Sequence, residues 1–192
     1  MGLEYELKYR ATPEQLARIG ADFPGAYTVR QMTTAYFDTP DGALSARRWT
    51  LRCRQEDDVF VCTLKTPAGQ GARGEWDLVC DDIYAAIPVL AEKAGVPELL
   101  ELTAGGVINT CGAKFVRRFR QIELAGTVAE LALDRGQLMG GGKTVEFAEV
   151  EVELKEGSRE NVDRLAMILA QSYGLEREPK SKYARAKALM EG

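Results

Sequence analysis

The 192-residue sequence contains no histidine. This absence removes Ser-His-Asp and Cys-His pairs, histidine-bound zinc and imidazole as a general base. Any chemistry falls to carboxylates, amines, guanidinium groups or hard metal ions. Long apolar runs are missing too. None approaches the roughly 20 residues that span a bilayer, and the first residues are charged rather than a cationic start followed by an apolar stretch. No membrane partner is expected, and a cytoplasmic location is. Cysteine is scarce: Cys53, Cys62, Cys80 and Cys111 are widely spaced with no CxxC pair, which favours buried free thiols over disulfides or a metal site. Positive charge is not in excess, and a net charge of −4 argues against a nucleic-acid partner. No repeat, low-complexity segment or linker divides the chain, so residues 1–192 are expected to form a single domain.

What is present is ordinary in amount, with 45% hydrophobic and 28% charged residues, as in a soluble globular protein with a substantial core. The arrangement is more informative. Thr12, Pro13 and Gln15 read as a helix start with a capping box, and that helix ends near Gly20. Residues 31–37 look extended, and Asp38-Thr39-Pro40-Asp41-Gly42 is a turn by its chemistry. Residues 48–55, 59–66 and 73–80 alternate as three strands joined by short acidic or glycine-rich turns, the pattern of an antiparallel meander. A helix over "IYAAIPVLAEKAG" follows, then a second strand set at 114–124, 128–134 and 144–155. Ser158 opens a helix whose apolar stripe is Val162, Leu165, Leu169 and Tyr173, stopped by Gly174, and Ser181 caps a final short one. The class is α+β.

Side chains alternate along a strand, so residues two apart share a face. "EYELKYR" therefore sets Glu4, Glu6 and Lys8 on one face. Arg52 and Arg54 share a face, as do Thr63 and Lys65, and Arg73, Glu75 and Asp77. In the second set Arg118 and Arg120 alternate, Glu130 and Asp134 are in phase, and Glu149, Glu151 and Glu153 alternate with Val150, Val152 and Leu154. A half-solvated sheet explains any one such strand. It explains less well a face enriched in arginine and carboxylate strand after strand. If the sheet curls into a barrel, these faces line a polar passage. Clustered carboxylates without histidine suit Mg²⁺ or Mn²⁺, and clustered arginine and lysine suit phosphate oxygens. Two phosphate-loop look-alikes are set aside. Gly69, Gly71 and Gly74 match GxGxxG, and Gly142-Lys143-Thr144 resembles the end of a P-loop, but a strand rather than a helix follows each.

Taken in order, the opening Glu4-x-Glu6-x-Lys8, "YFDTPDGALSARRWTLRCR", "TLK", "RGEWD", "ALDRG" with "EVEVELK", and "SKY" resemble the blocks of the CYTH superfamily, the triphosphate tunnel metalloenzymes, across almost the whole chain. The resemblance implies a closed antiparallel eight-stranded β-barrel with flanking helices, a tunnel in which cations hold a triphosphate and acids hold Mg²⁺ or Mn²⁺. By motif, Glu4, Glu6, Glu149, Glu151 and Glu153 are implied metal ligands. Lys8, Arg52, Arg54, Lys65, Arg73, Arg118, Arg120 and Lys182 are implied phosphate ligands, with Arg118 and Arg120 preferred over Arg117 as the inward pair. Glu6, Lys8, Lys65 and Asp134 are the implied catalytic set, Asp134 orienting a base or a water, and Glu75 and Asp77 support them. The implied reaction is hydrolysis of inorganic triphosphate to pyrophosphate and phosphate. Thiamine or nucleoside triphosphate hydrolysis and class IV adenylyl cyclase activity remain alternatives within the family. A noncatalytic polyphosphate or nucleotide-binding module is the alternative outside catalysis. The helices leave room for a homodimer.

Overall fold

The computed structural model describes residues 2–69 and 72–191, so Gly71 of the GxGxxG look-alike lies outside the described residues. The strands are β1 (Gly2–Glu4), β2 (Glu6–Arg10), β3 (Thr28–Asp38), β4 (Thr50–Glu56), β5 (Val59–Pro67), β6 (Arg73–Val79), β7 (Ile108–Leu124), β8 (Thr127–Gly140), β9 (Lys143–Glu156) and β10 (Glu176–Arg177). The helices are α1 (Pro13–Asp22), α2 (Ala43–Ala46), α3 (Ile83–Ala94), α4 (Glu98–Thr103), α5 (Arg159–Tyr173) and α6 (Lys182–Glu191). All strand pairs are antiparallel, in one ten-stranded sheet of order β1-β6-β5-β4-β3-β7-β8-β9-β2-β10.

This corrects the expected closed eight-stranded barrel. The hydrogen-bonded ladder ends on two free edges, β1 and β10. The cause is the opening strand, which breaks at Tyr5: its first part pairs with β6 (Glu4 opposite Arg73) and its second with β9 (Glu6 opposite Glu153). The other edge of β2 is taken by β10, with Arg10 opposite Glu176. β10 covers only the Tyr9–Arg10 end of that edge, and the break at Tyr5 leaves β6 paired with β1 rather than with β2. The α+β class stands, and the inner faces still converge on one cavity.

Local chemistry explains the element ends. Thr12 Oγ1 accepts from Gln15 N–H at 3.2 Å while Gln15 Oε1 accepts from Thr12 N–H at 2.7 Å, a complete capping box. The helix it starts runs past Gly20 to Asp22, because Gly20 is packed beneath the Arg118 guanidinium and Leu133, and tertiary contact overrides the ~1 kcal/mol helix penalty of glycine. Ser158 and Ser181 cap α5 and α6 as expected. β8 continues beyond Asp134 to Gly140. At Gly136 a Cβ would sit 2.1 Å from the Lys114 carbonyl oxygen, so glycine there permits close strand approach rather than ending the strand. Gly141 and Gly142, at φ +57° and +74°, make the tight β8–β9 turn.

Two apolar clusters cover the sheet. One sets α1 and α5 on β2, β8 and β9, with Leu131, Val150, Val152 and Leu169 fully buried. The other sets α2, α3 and α4 on β4, β5 and β6 around Leu51, Leu64 and Leu90. Each such side chain contributes about 1.5–3 kcal/mol by leaving water. A third cluster holds α6 against β3, β7 and β8 through Tyr36, Phe115, Leu138 and Tyr183. All four cysteines are free thiols. Among the described residues, no helix is long and apolar enough to cross a membrane.

Candidate functional site

The converging inner faces enclose a cavity of about 1010 Å³. β2 contributes Glu6 and Lys8, directly opposite Glu153 and Glu151 of β9, and Glu153 is in turn opposite Glu130 of β8. Glu6, Glu153 and Glu130 thus form a row of carboxylates across three neighbouring strands. Like charges directly opposite one another in a sheet are destabilising. Cations answer part of that cost: Lys8 Nζ lies 2.8 Å from Glu6, and Lys155 Nζ lies 2.8 Å from Glu153 and 3.8 Å from Glu130. Burial pushes the Glu153 carboxyl above its ordinary range, Lys155 opposes this, and Glu4 and Glu130 add to it. Glu4 itself accepts from Lys65 Nζ at 2.6 Å.

The facing wall is built by β4, β5 and β6. Arg52 donates to Glu75 at 3.1 Å, Lys65 Nζ is 3.1 Å from the same carboxylate, and Thr63 donates to Asp77 at 2.6 Å. Two cations here have no hydrogen-bonded carboxylate among the described residues. Arg54 is 7% exposed and donates to Thr34 Oγ1 at 3.0 Å, with Glu56 no closer than 3.8 Å. Arg73 donates to Thr50 Oγ1 at 3.0 Å and to the carbonyls of Arg48 and Lys65. Burial, with repulsion from Arg52, brings Arg54 down to about 10, and burial lowers Arg73 as well. A buried guanidinium in this condition lacks a counter-charge.

A second charged cluster is set into the cavity wall, reaching the cavity through Glu151, Lys182 and Arg117. Oxygens of Asp134, Glu149 and Glu151 lie within 4.8 Å of one another, and the Lys182 ammonium sits among them, 2.7 Å from Asp134, 2.9 Å from Glu151 and in contact with Glu149. Arg117 grips Asp134 with two bonds of 2.8 and 2.7 Å and also touches Glu151, while Arg185 pairs with Glu149. Burial alone would raise Glu151, but Lys182, Arg117 and Lys8 outweigh it and hold that carboxyl well below the usual range. The same attraction overcomes burial and raises Lys182 and Arg117. The place a metal would take in this trio is filled by an ammonium group. Glu4, Glu6, Glu130 and Glu153 also line the cavity, and carboxylate oxygens of this kind suit a hard divalent ion.

Of the residues singled out in the sequence, Glu4, Glu6, Lys8, Arg52, Arg54, Lys65, Arg73, Glu75, Asp77, Glu151, Glu153 and Lys182 line this cavity. Asp134 and Glu149 are on the expected face, fully buried and not among the residues that line the cavity; with Glu151 they form the buried acidic trio. Arg118 and Arg120 require correction, because β7 turns Phe115, Arg117 and Phe119 inward. Phe115 is locked by an edge-on contact with Phe147 at 5.7 Å, whereas Arg118 and Arg120 lie over the Tyr27 ring at 4.9 and 5.8 Å on the outer face. Arg118→Ala should cost about 0.5–1 kcal/mol of stability and leave triphosphate affinity within about twofold, measured by urea titration and calorimetry. Arg117, Glu130, Lys155, Arg30 and Glu56 also line the cavity. Strand parity placed Glu130 in phase with Asp134, and the alternation of Glu149, Glu151 and Glu153 extends to Lys155. Arg30 lies before the expected start of its strand.

The CYTH domain family model matches residues 2–186. The chain belongs to the CYTH domain family. A curated relative, the inorganic triphosphatase of Haemophilus influenzae, is 29% identical over 167 residues, 81% of this CYTH chain and 46% of that protein. The chain therefore spans less than half the length of that relative. A Bacillus halodurans structure described as a candidate adenylate cyclase matches with a TM-score of 0.67 at 19% identity, covering 94% of this chain and 96% of that one. A Hippeastrum protein, described as a candidate adenylyl cyclase with a dominant triphosphatase activity, gives 0.66 at 21% identity over 98% and 96%. At such identities the likeness concerns the fold of the CYTH domain.

Proposed function

We propose that this CYTH chain hydrolyses inorganic triphosphate to pyrophosphate and phosphate with the help of Mg²⁺ or Mn²⁺. The observation that carries the reading is the pair Arg54 and Arg73, cavity-lining guanidinium groups with no hydrogen-bonded carboxylate among the described residues. They await an anion, and facing them is an acid row that awaits a cation. A phosphate chain carrying a divalent ion satisfies both. A module that only bound phosphate would have no use for the row, which repels the ligand. The curated relative from H. influenzae supports inorganic triphosphate over an organic one.

In this reading Arg54, Arg73, Arg52, Lys65 and Lys8 bind the phosphate oxygens and offset charge as it develops in the transition state. Glu4, Glu6 and Glu153 would hold the metal, which supplies further neutralisation of the phosphate oxygens. Water attacks the terminal phosphorus, the bridging P–O bond breaks, and pyrophosphate leaves. Arg117, bonded to Asp134 and Glu151, holds those two carboxylates in place in the cavity wall.

The test is incubation of the purified protein with Mg²⁺ or Mn²⁺ and, separately, inorganic triphosphate, thiamine triphosphate or ATP, with all products resolved. The highest kcat/KM is expected for phosphate release from inorganic triphosphate. Cyclic AMP with pyrophosphate would move the chain to the cyclases, and binding without turnover would make it a binding module.

A further inference from the structure

We propose that Glu56 ends the anion-binding track of the cavity and thereby sets the length of phosphate chain it accepts, an inference that rests on the triphosphate reading above. The inward residues of β4 run Thr50, Arg52, Arg54 and then Glu56, so a row of cations stops at a carboxylate. The next cation beyond it, Arg30 of β3, is already engaged. Its Nη1 lies 3.0 Å from Glu56 Oε2, and its guanidinium stacks on Phe119 at 5.4 Å. The other oxygen, Glu56 Oε1, stands 3.8 Å from Arg54 Nη1, too far for a hydrogen bond but facing any anion that Arg54 takes.

The carboxylate is held in place by its backbone. Asp57, at φ +52° in the β4–β5 turn, exchanges two hydrogen bonds with Gln31: its N–H donates to the Gln31 carbonyl at 3.0 Å, and its Oδ1 accepts from Gln31 N–H at 2.8 Å. Glu56 is therefore clamped to β3 one residue before the turn, opposite Met32. A phosphate chain that stops at Arg54 gains its guanidinium. A longer chain drives its next phosphate against Glu56 and finds Arg30 already neutralised. Like-charge juxtaposition of this kind acts as selection against the wrong ligand.

The experiment compares inorganic triphosphate with linear tetraphosphate on the full chain, by calorimetric affinity and by kcat/KM in the presence of Mg²⁺. Glu56→Gln keeps a hydrogen-bonding group for Arg30 and removes only the charge. It should raise the tetraphosphate-to-triphosphate ratio by about tenfold or more, mostly through affinity or KM. Arg30→Gln frees Glu56 to lean on Arg54 and should move the ratio the other way, a reversal of sign that a merely structural role would not produce. A ratio within twofold of wild type in Glu56→Gln, or the same direction of change in both variants, overturns the inference. If Glu56→Gln does not fold, a rise or no change in Arg30→Gln overturns it. Failure of the functional reading looks different: the wild type then binds triphosphate without turnover, and the affinity ratio still decides the role of Glu56, or it binds neither polyphosphate and both ideas fall.

Discussion

Glu6→Lys lowers kcat/KM for inorganic triphosphate by about 10³-fold or more while the protein stays folded. The expected size follows from losing charge stabilisation at the reacting centre, where each factor of ten is ~1.4 kcal/mol. Glu6 lies directly opposite Glu153 and bonds Lys8 at 2.8 Å. Lysine at this position puts a fixed cation where a divalent ion would bind and leaves Lys8 facing a like charge. Stability is largely spared, because the new ammonium can pair with Glu153 across the strands and the native Glu6 side chain is 24% exposed. Phosphate release and melting temperature should both be measured. Retained activity in the folded variant would remove Glu6 from the metal-holding set, and joint loss of fold and activity would point to a structural role.

Lys182→Met should destabilise the protein by about 3–5 kcal/mol, the usual cost of removing one partner from a buried charged cluster. For a chain of this size that is a fall in Tm of about 6–20 °C. The variant leaves Asp134, Glu149 and Glu151 to Arg117 and Arg185, with the longer-range pull of Lys8 on Glu151. The pH dependence identifies the cause. In the native protein Glu151 is held well below its ordinary value, so it contributes stability above the unfolded-state pKa, roughly 4.3, that is lost as pH falls through the folded value. Lys182 is the largest of the attractions that hold Glu151 down, so without it burial is expected to outweigh Arg117 and Lys8 and to raise the carboxyl. Its contribution would then be present at low pH and lost as pH rises. Urea titrations at pH 5 and pH 8 should give a deficit that is larger at pH 8. An equal deficit at both would assign the loss to packing rather than charge.

Parity along single strands carried most of the site. The alternation in "EYELKYR", "LRCR", "RGEWD" and "EVEVE" put the right side chains on the inner face because a strand has only two faces. It failed at "FVRRFR", where either phase turns arginine inward and the decision rests on Phe115 meeting Phe147, a residue of another strand. Depth was equally hidden. Parity placed Glu149 and Asp134 on the inner face but could not say that Lys182 and Arg185 of α6 would cover them. The open ladder was out of reach for a similar reason. Tyr5 reads as an ordinary strand residue, and the two residues of β10 carry no pattern.

The Lys182 cluster also bears on the order in which this molecule can be assembled. Its acids sit on β8 and β9, whereas two of its three cations, Lys182 and Arg185, arrive on α6, the last helix of the described chain. Because chains emerge and fold from the N-terminus, the strands of this wall are made before the charges that neutralise them. Until α6 docks, Arg117 is the one internal counter-ion described for the trio apart from the longer-range pull of Lys8. The wall is therefore neutral only with α6 docked, and a sheet collapsed without that helix would carry an uncompensated negative cluster.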